Sequence, residues 1–177
     1  MTYDNFTIKA QESILKSQQI AAGLDQQQVD TVHLIKGILE TDESVAGFLL
    51  GKSEVNLDML RRKLDEAILK YPKVQGSDKQ FLTTDANKSL SRAKVLLKEF
   101  GDQYISVELM LLGIVQGDDS GAKLLKELGA NEQLLKGAIN ELRKGRKVTD
   151  QNSEDSYNAL AKYAINLNER AESGKLD

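Results

Sequence analysis

Thr31-Val32-His33-Leu34-Ile35-Lys36-Gly37-Ile38-Leu39 decides how this chain is read, because Val107-Glu108-Leu109-Met110-Leu111-Leu112-Gly113-Ile114-Val115 restates it. An offset of 76 carries His33 onto Leu109, Gly37 onto Gly113, Ile38 onto Ile114 and Leu39 onto Val115. The same offset carries Thr7 onto Thr83, Ala10 onto Ala86, Ile14 onto Leu90, Ala21 onto Leu97 and Ser44 onto Ser120. One residue is then lost, and Asn56 meets Asn131 at an offset of 75. Similarity at a fixed offset is the mark of a duplicated structural unit.

Each copy reads as four helices. Thr7 caps a first helix over 7–22 whose Ala10, Ile14 and Ala21 fall at helical spacing, with Gly23 as a left-handed stop. The quoted stretch is a second helix, almost wholly apolar. Ser44 and Ser120 stand as caps of the third helices, Asn56 and Asn131 as caps of the fourth, and Val55 staples to Leu60. Pro72 ends the fourth helix of the first copy, since proline disfavours helical geometry in the residue before it. Gly101 stops the first helix of the second copy.

Four short helices are too few to bury their own faces, so the copies are expected to pack as one pseudo-twofold, all-α domain. Repeat one covers about 6–70 and repeat two about 82–145, joined by residues 72–80, within a domain of 1–147. The polar run from Lys147 to Asp155 reads as a tether. Beyond it, Leu160, Tyr163, Ala164 and Leu167 mark a ninth helix at about 156–172, a C-terminal linker helix with no partner within the chain.

Composition narrows the function. No apolar run reaches the roughly 20 residues that cross a bilayer, and the N-terminus lacks a signal-peptide layout, which makes the cytoplasm the default location. The absence of cysteine removes disulfides, thiolate nucleophiles and cysteine metal sites. A net charge of -3 argues against a nucleic-acid binder. The basic run Arg143, Lys144, Arg146, Lys147 closes a helix, where cations complement the macrodipole.

Enzyme readings lack residues. His33 is the sole histidine and lies in an apolar helix, so a structural role is expected of it. Asp118-Asp119 reads as a solvated turn rather than a metal site. Residues 117–123 approach a phosphate-binding loop, but Ala122 stands where its second glycine belongs and no strand precedes them. Neither a metal nor a cofactor is expected. What remains is a trio of polar residues around the duplicated motif: Thr7, Asp102 and Glu108. Capping explains each of them; alternatively, they stand as acceptors at the rim of a leucine-floored groove between the copies, facing the backbone amides of an extended peptide.

Phe6-Thr7-Ile8-Lys9-Ala10-Gln11, Val32-His33-Leu34 with Gly37-Ile38-Leu39, Gly101-Asp102 and Ser106-Val107-Glu108-Leu109 resemble the double Clp repeat at the N-terminus of Clp-type AAA+ unfoldases. Pro72-Lys73-Val74-Gln75-Gly76 and the stretch from Asn166 to Asp177 resemble the disaggregase branch, ClpB. The resemblance implies a non-enzymatic, substrate-recruiting module of a hexameric, ATP- and Mg-dependent machine that acts on unfolded or aggregated polypeptides with a DnaK-type chaperone system. The isolated domain is expected to be a monomer, and the ATPase motifs lie downstream in that family. By the same correspondence, Thr7, Asp102 and Glu108 match substrate-handling positions, and Leu96 and Leu109 match apolar groove positions. Arg92 stands one turn before Leu96, where that groove would be apolar, which implies a shorter or more selective groove. Adaptor docking, as in a protease-coupled ClpC- or ClpA-like unfoldase, is the other function the resemblance allows.

Overall fold

A computed structural model describes residues 2–76, 78–155 and 157. Its first copy runs α1 (Ile8–Gly23), β1 (Gln28–Val29), α2 (Thr31–Thr41), α3 (Glu43–Gly51) and α4 (Leu57–Leu69). The second runs β2 (Phe81–Leu82), α5 (Thr84–Phe100), α6 (Val107–Val115), α7 (Ser120–Glu127) and α8 (Glu132–Arg143). The fold is all-α, two four-helix repeats around one continuous core to which every helix contributes. Apart from Tyr157, the expected ninth helix lies outside the described residues.

The repeated glycines explain how the copies are built. A Cβ on Gly37 would stand 2.4 Å from the Ser13 carbonyl oxygen of α1, and one on Gly113 would stand 2.6 Å from that of Ser89 on α5. Both helix pairs therefore cross at backbone contact, and Ser13 and Ser89 fold their hydroxyls back onto the Ala10 and Ala86 carbonyls at 2.8 and 2.7 Å. Gly113→Ala is expected to lower the unfolding free energy by about 1–3 kcal/mol in urea denaturation, because two helices must separate to admit the methyl group. Gly137→Ala in α8 is the control: its site meets nothing within 4 Å, and the change should be neutral or slightly stabilising.

The copies also exchange short strands that are too brief for a period-two signal in the sequence. Val29 pairs with Leu82, and Phe6 pairs with Ile105, both in parallel. These are the same pair under the 76-residue offset, so the first strand of each copy is completed by the other copy.

Several local expectations change. Asp42 and Asp119, not Ser44 and Ser120, cap α3 and α7, accepting from the Val45 and Ala122 amides at 3.4 and 3.1 Å. Their carboxylates sit earlier in the chain and accept more strongly than a serine hydroxyl. Gly23 belongs to α1, and Asp25 takes the left-handed conformation at φ 58. Asp119 is not a solvated turn residue: it accepts from the Thr31 hydroxyl at 2.8 Å across the copy interface and lies 3.8 Å from Arg92 within its own copy. Arg92 donates to the Gly113 carbonyl at 2.7 Å and so closes the end of α6.

The tether expected from Lys147 to Asp155 is instead folded onto the body. Left-handed Lys144 and Gly145 turn the chain after α8, and Val148, Glu154 and Tyr157 are buried against the second copy. The boundary expected at 147 therefore falls inside the packed unit. Polar composition hid this because, among the described residues from 148 on, three anchors are buried and the others face solvent or are half-buried.

Candidate functional site

The offset between the copies locates the chemistry. In copy one, Gln26 donates to the Ile68 carbonyl at 2.7 Å and meets His33 Nε2 at 2.7 Å. His33 Nδ1 accepts from the Asp30 amide at 3.0 Å, which puts the ring proton on Nε2 and completes a capping box at the start of α2. Burial pushes the His33 pKa down to about 4, against the attraction of Asp30, so the ring is neutral. Asp30 also accepts from the Thr83 hydroxyl at 2.7 Å and from Tyr71, stitching the first copy to the second. His33 is a structural residue.

Copy two places charge where copy one is neutral. Asp102 replaces Gln26, Glu108 replaces Val32, and Arg143 replaces Ile68 at the shifted offset of 75. The left-handed Gly101 at φ 69 ends α5 and sets Asp102 beside the end of α8. Ser106 caps α6 and leaves Glu108 in its first turn, facing the same point.

Arg143 joins them. Its Nη1 lies 2.8 Å from Asp102, its Nε donates to Glu108 at 3.1 Å, and its Nη2 donates to Ser106 at 3.1 Å. The guanidinium lies 5.4 Å from the Phe100 ring centre and 5.9 Å from that of Tyr157, with its side chain 2% exposed. Burial opposes its charge, but Glu108 and Asp102 outweigh that and raise its pKa. Asp102 shifts upward, through burial, against the lowering effects of the Val148 amide and Arg143.

The segment 148–157 closes over this cluster. Val148 donates its amide to Asp102 at 3.0 Å, and the Tyr157 hydroxyl donates to Glu108 at 2.6 Å. Glu154 accepts from the Val107 amide at 3.2 Å and from the Thr7 hydroxyl. Burial first, and then the facing Glu108 carboxylate, raise the Glu154 pKa well above the usual carboxylate range. Thr7, Asp102 and Glu108, distant in sequence, are thus brought into one network.

That network is not an open rim. Thr7 and Glu108 are fully buried and Asp102 is 9% exposed. Leu96 and Leu109 lie in the core rather than on a groove floor, at 4% and 0%. The carboxylates turn inward because Arg143 is there to neutralise them, and segment 148–157 covers what remains. A cleft of about 320 Å³ does open alongside, between Thr2, Asp4, Asn5 and Lys94, over Phe6, Leu90 and Ile105. Among the described residues no group of three or more His, Cys, Asp or Glu side chains could hold a metal ion, and no helix is long and apolar enough to cross a membrane.

Sequence reasoning missed Arg143, Glu154 and Tyr157. The signal for Arg143 was present: Leu135, Ile139 and Arg143 recur every fourth residue, so the arginine continues the buried stripe of α8. Tyr157 and Glu154 had no comparable pattern around them.

The fold is one shared with N-terminal domains of Clp-type chaperones. The model described as the Clp repeat (R) N-terminal domain matches residues 5–128, and the chain belongs to this family. ClpB chaperones match it over its whole length. That of Bacteroides thetaiotaomicron is 40% identical over 177 residues, all of this chain and 20% of the relative, and that of Porphyromonas gingivalis has the same identity and coverage. The chain spans about a fifth of the length of these relatives. Among solved structures, the N-terminal domain of Candida albicans Hsp104 superposes with a TM-score of 0.71 over 84% of this chain and 97% of that one, at 19% identity, a likeness of fold. The N-terminal domain of the ClpD chaperone of Arabidopsis thaliana gives 0.62 over 79% and 98%, at 28% identity.

Proposed function

We propose that this domain recruits unfolded or aggregated polypeptide to a ClpB-type disaggregase, holding it weakly and releasing it to a hexameric motor. The likeness to ClpB chaperones along the full chain carries this reading. In it, residues 148–177 lead toward the first AAA+ module, and ATP and Mg belong to that motor, as does cooperation with a DnaK-type system in the cytoplasm. The isolated domain is a monomer with no catalytic role. Thr7, Asp102 and Glu108 are buried in the structure and would have to be uncovered to serve as acceptors for a client, with Leu96 and Leu109 supporting them from the core. Weak binding suits a recruiting module, since six copies around one pore raise the local concentration of sites without any new contact.

The experiment is a fluorescence-anisotropy titration of labelled, reduced and carboxymethylated α-lactalbumin, a permanently unfolded chain. Saturable binding with a Kd of roughly micromolar to millimolar is expected. No binding up to millimolar protein would sink the reading. A second reading, docking of a folded adaptor, is favoured by the likeness to the ClpD domain. It predicts retention of one stoichiometric folded protein on the immobilised domain and none of the unfolded probe.

A further inference from the structure

Two buried carboxyl groups of the second copy are each left with one unanswered oxygen. Glu108 Oε2 accepts from the Tyr157 hydroxyl at 2.6 Å and from Arg143 Nε at 3.1 Å, whereas its Oε1 is buried and receives no hydrogen bond. Glu154 Oε2 accepts from the Val107 amide at 3.2 Å, and its Oε1 is likewise buried without a donor. The two side chains lie within hydrogen-bonding reach of each other. Among the described residues, Arg92 Nη2 and Asp102 Oδ2 are also buried without a hydrogen bond, but each has an oppositely charged neighbour, Asp119 at 3.8 Å and Arg143 at 2.8 Å. The two glutamate oxygens face a like-charged group instead.

The charges around them do not balance. Asp102, Glu108 and Glu154 form one buried cluster with a single guanidinium, that of Arg143, which is already bonded to the first two. Three ionised carboxylates would leave two negative charges uncompensated and out of water, which is strongly unfavourable. The other groups facing Glu154 offer no cation: the Thr7 hydroxyl from the start of α1, the Val107 amide and Glu108 from α6, and the Tyr157 hydroxyl. Two carboxyl groups set against each other in such surroundings cannot both ionise, and they titrate as a pair. One proton between them replaces the repulsion by a charge-assisted hydrogen bond and satisfies both orphaned oxygens. The upward shift of Glu154, from burial first and Glu108 second, agrees with this.

We propose that Glu108 and Glu154 share one proton between their orphaned oxygens, and that this proton is a pH-sensitive latch fastening Glu154 to the start of α6. Latched, Glu154 ties together two helix starts, Thr7 at the head of α1 and Val107 at the head of α6. Loss of the proton to solvent leaves two facing carboxylates. Glu108 is held by Arg143 and Tyr157, so Glu154 is the one that lets go. The latch contributes stability that is complete below the unfolded glutamate value of 4.5 and is lost as the pH rises through the raised folded value. Copy one has no counterpart, since Val32 stands where Glu108 would be. The latch does not depend on whether the domain recruits clients.

Two measurements on the full chain test this. In the first, carbon NMR of glutamate-labelled protein follows every glutamate carboxyl from about pH 3 to 9. The Glu108 and Glu154 carbons are expected to report a shared step well above the range of the exposed glutamates, and the Val107 amide resonance to shift at the same midpoint. No step above the ordinary range at either carbon overturns the shared proton, and a raised step that leaves the Val107 amide unmoved overturns the latch. In the second, urea denaturation of the parent and of Glu154→Gln is compared over the same range. The glutamine amide supplies permanently the hydrogen that the shared proton supplies, and the titration of His33 is common to both chains and cancels. The unfolding constant of the parent relative to the variant is expected to rise by up to tenfold per pH unit from 4.5 upward, and to level off at the folded value. A ratio independent of pH counts against the latch, because a merely structural glutamate shifts it by a constant factor. Should the variant not fold, the carbon titration decides alone.

Discussion

Replacing Arg143 with methionine is expected to cost about 3–5 kcal/mol of unfolding free energy, read from urea denaturation at neutral pH. Methionine keeps much of the aliphatic stem, so the loss reports charge rather than volume. Asp102 and Glu108 would be left within a few ångströms of each other with their common counter-ion gone, and neither side chain reaches solvent. The proof of cause is rescue: adding Asp102→Asn and Glu108→Gln to the methionine variant should restore most of the stability, since buried neutral groups no longer need a cation. A loss below about 1 kcal/mol, the usual worth of an exposed ion pair, would place the guanidinium in water instead.

Acidification has the second large effect. His33 is fully buried and neutral, its pKa lowered from 6.5 to about 4 chiefly by burial, with Asp30 pulling upward and Lys36 downward. Between those two values the unfolded chain takes up the proton and the folded one does not, so stability is fully present above pH 6.5 and falls as the pH drops toward 4. The expected loss at pH 4 is about 3 kcal/mol. Besides Asp30 and Lys36, the facing groups are the Gln26 amide and the Tyr71 ring, 5.1 Å away. His33→Gln should flatten the pH dependence in this window; an unchanged slope would assign it elsewhere. Glu154 works in the opposite sense. Its raised pKa contributes stability at low pH that is lost as the pH climbs through the folded value, so the acid limb is not its doing.

The fold was legible because duplication leaves paired evidence. Gly37 and Gly113 fall in apolar helices at the same offset, and both turn out to stand against a serine carbonyl where a side chain would not fit. Asn56 and Asn131 cap as read, and so does Thr7. The failures were local and have local causes. A serine one or two residues after an aspartate loses the cap to the stronger acceptor, as Asp42 and Asp119 show. Two-residue strands leave no periodic trace.

The site was half legible. Thr7, Asp102 and Glu108 could be named, but not that they face inward, because that depends on Arg143, 35 and 41 positions away from its two partners. An arginine at the end of a helix satisfies the dipole whichever way it points, and spacing alone argued for burial. The run from Lys147 to Asp155 reads as tether because its average is polar, whereas its hold on the body depends on Val148 and Glu154, with Tyr157 just beyond, and not on an average.

Strand exchange between the copies bears on how the protein is made. Thr7 donates its amide to the Ile105 carbonyl at 2.9 Å, and Ile105 donates its own to Asn5 at 2.8 Å. During synthesis the first copy leaves the ribosome roughly 75 residues ahead of the second, several seconds at ordinary elongation rates. Throughout that interval its opening strand has no neighbour to bond to, and Val29 likewise awaits Leu82. The half-made chain is therefore itself an incompletely folded polypeptide with open main-chain edges, the kind of species chaperones exist to hold.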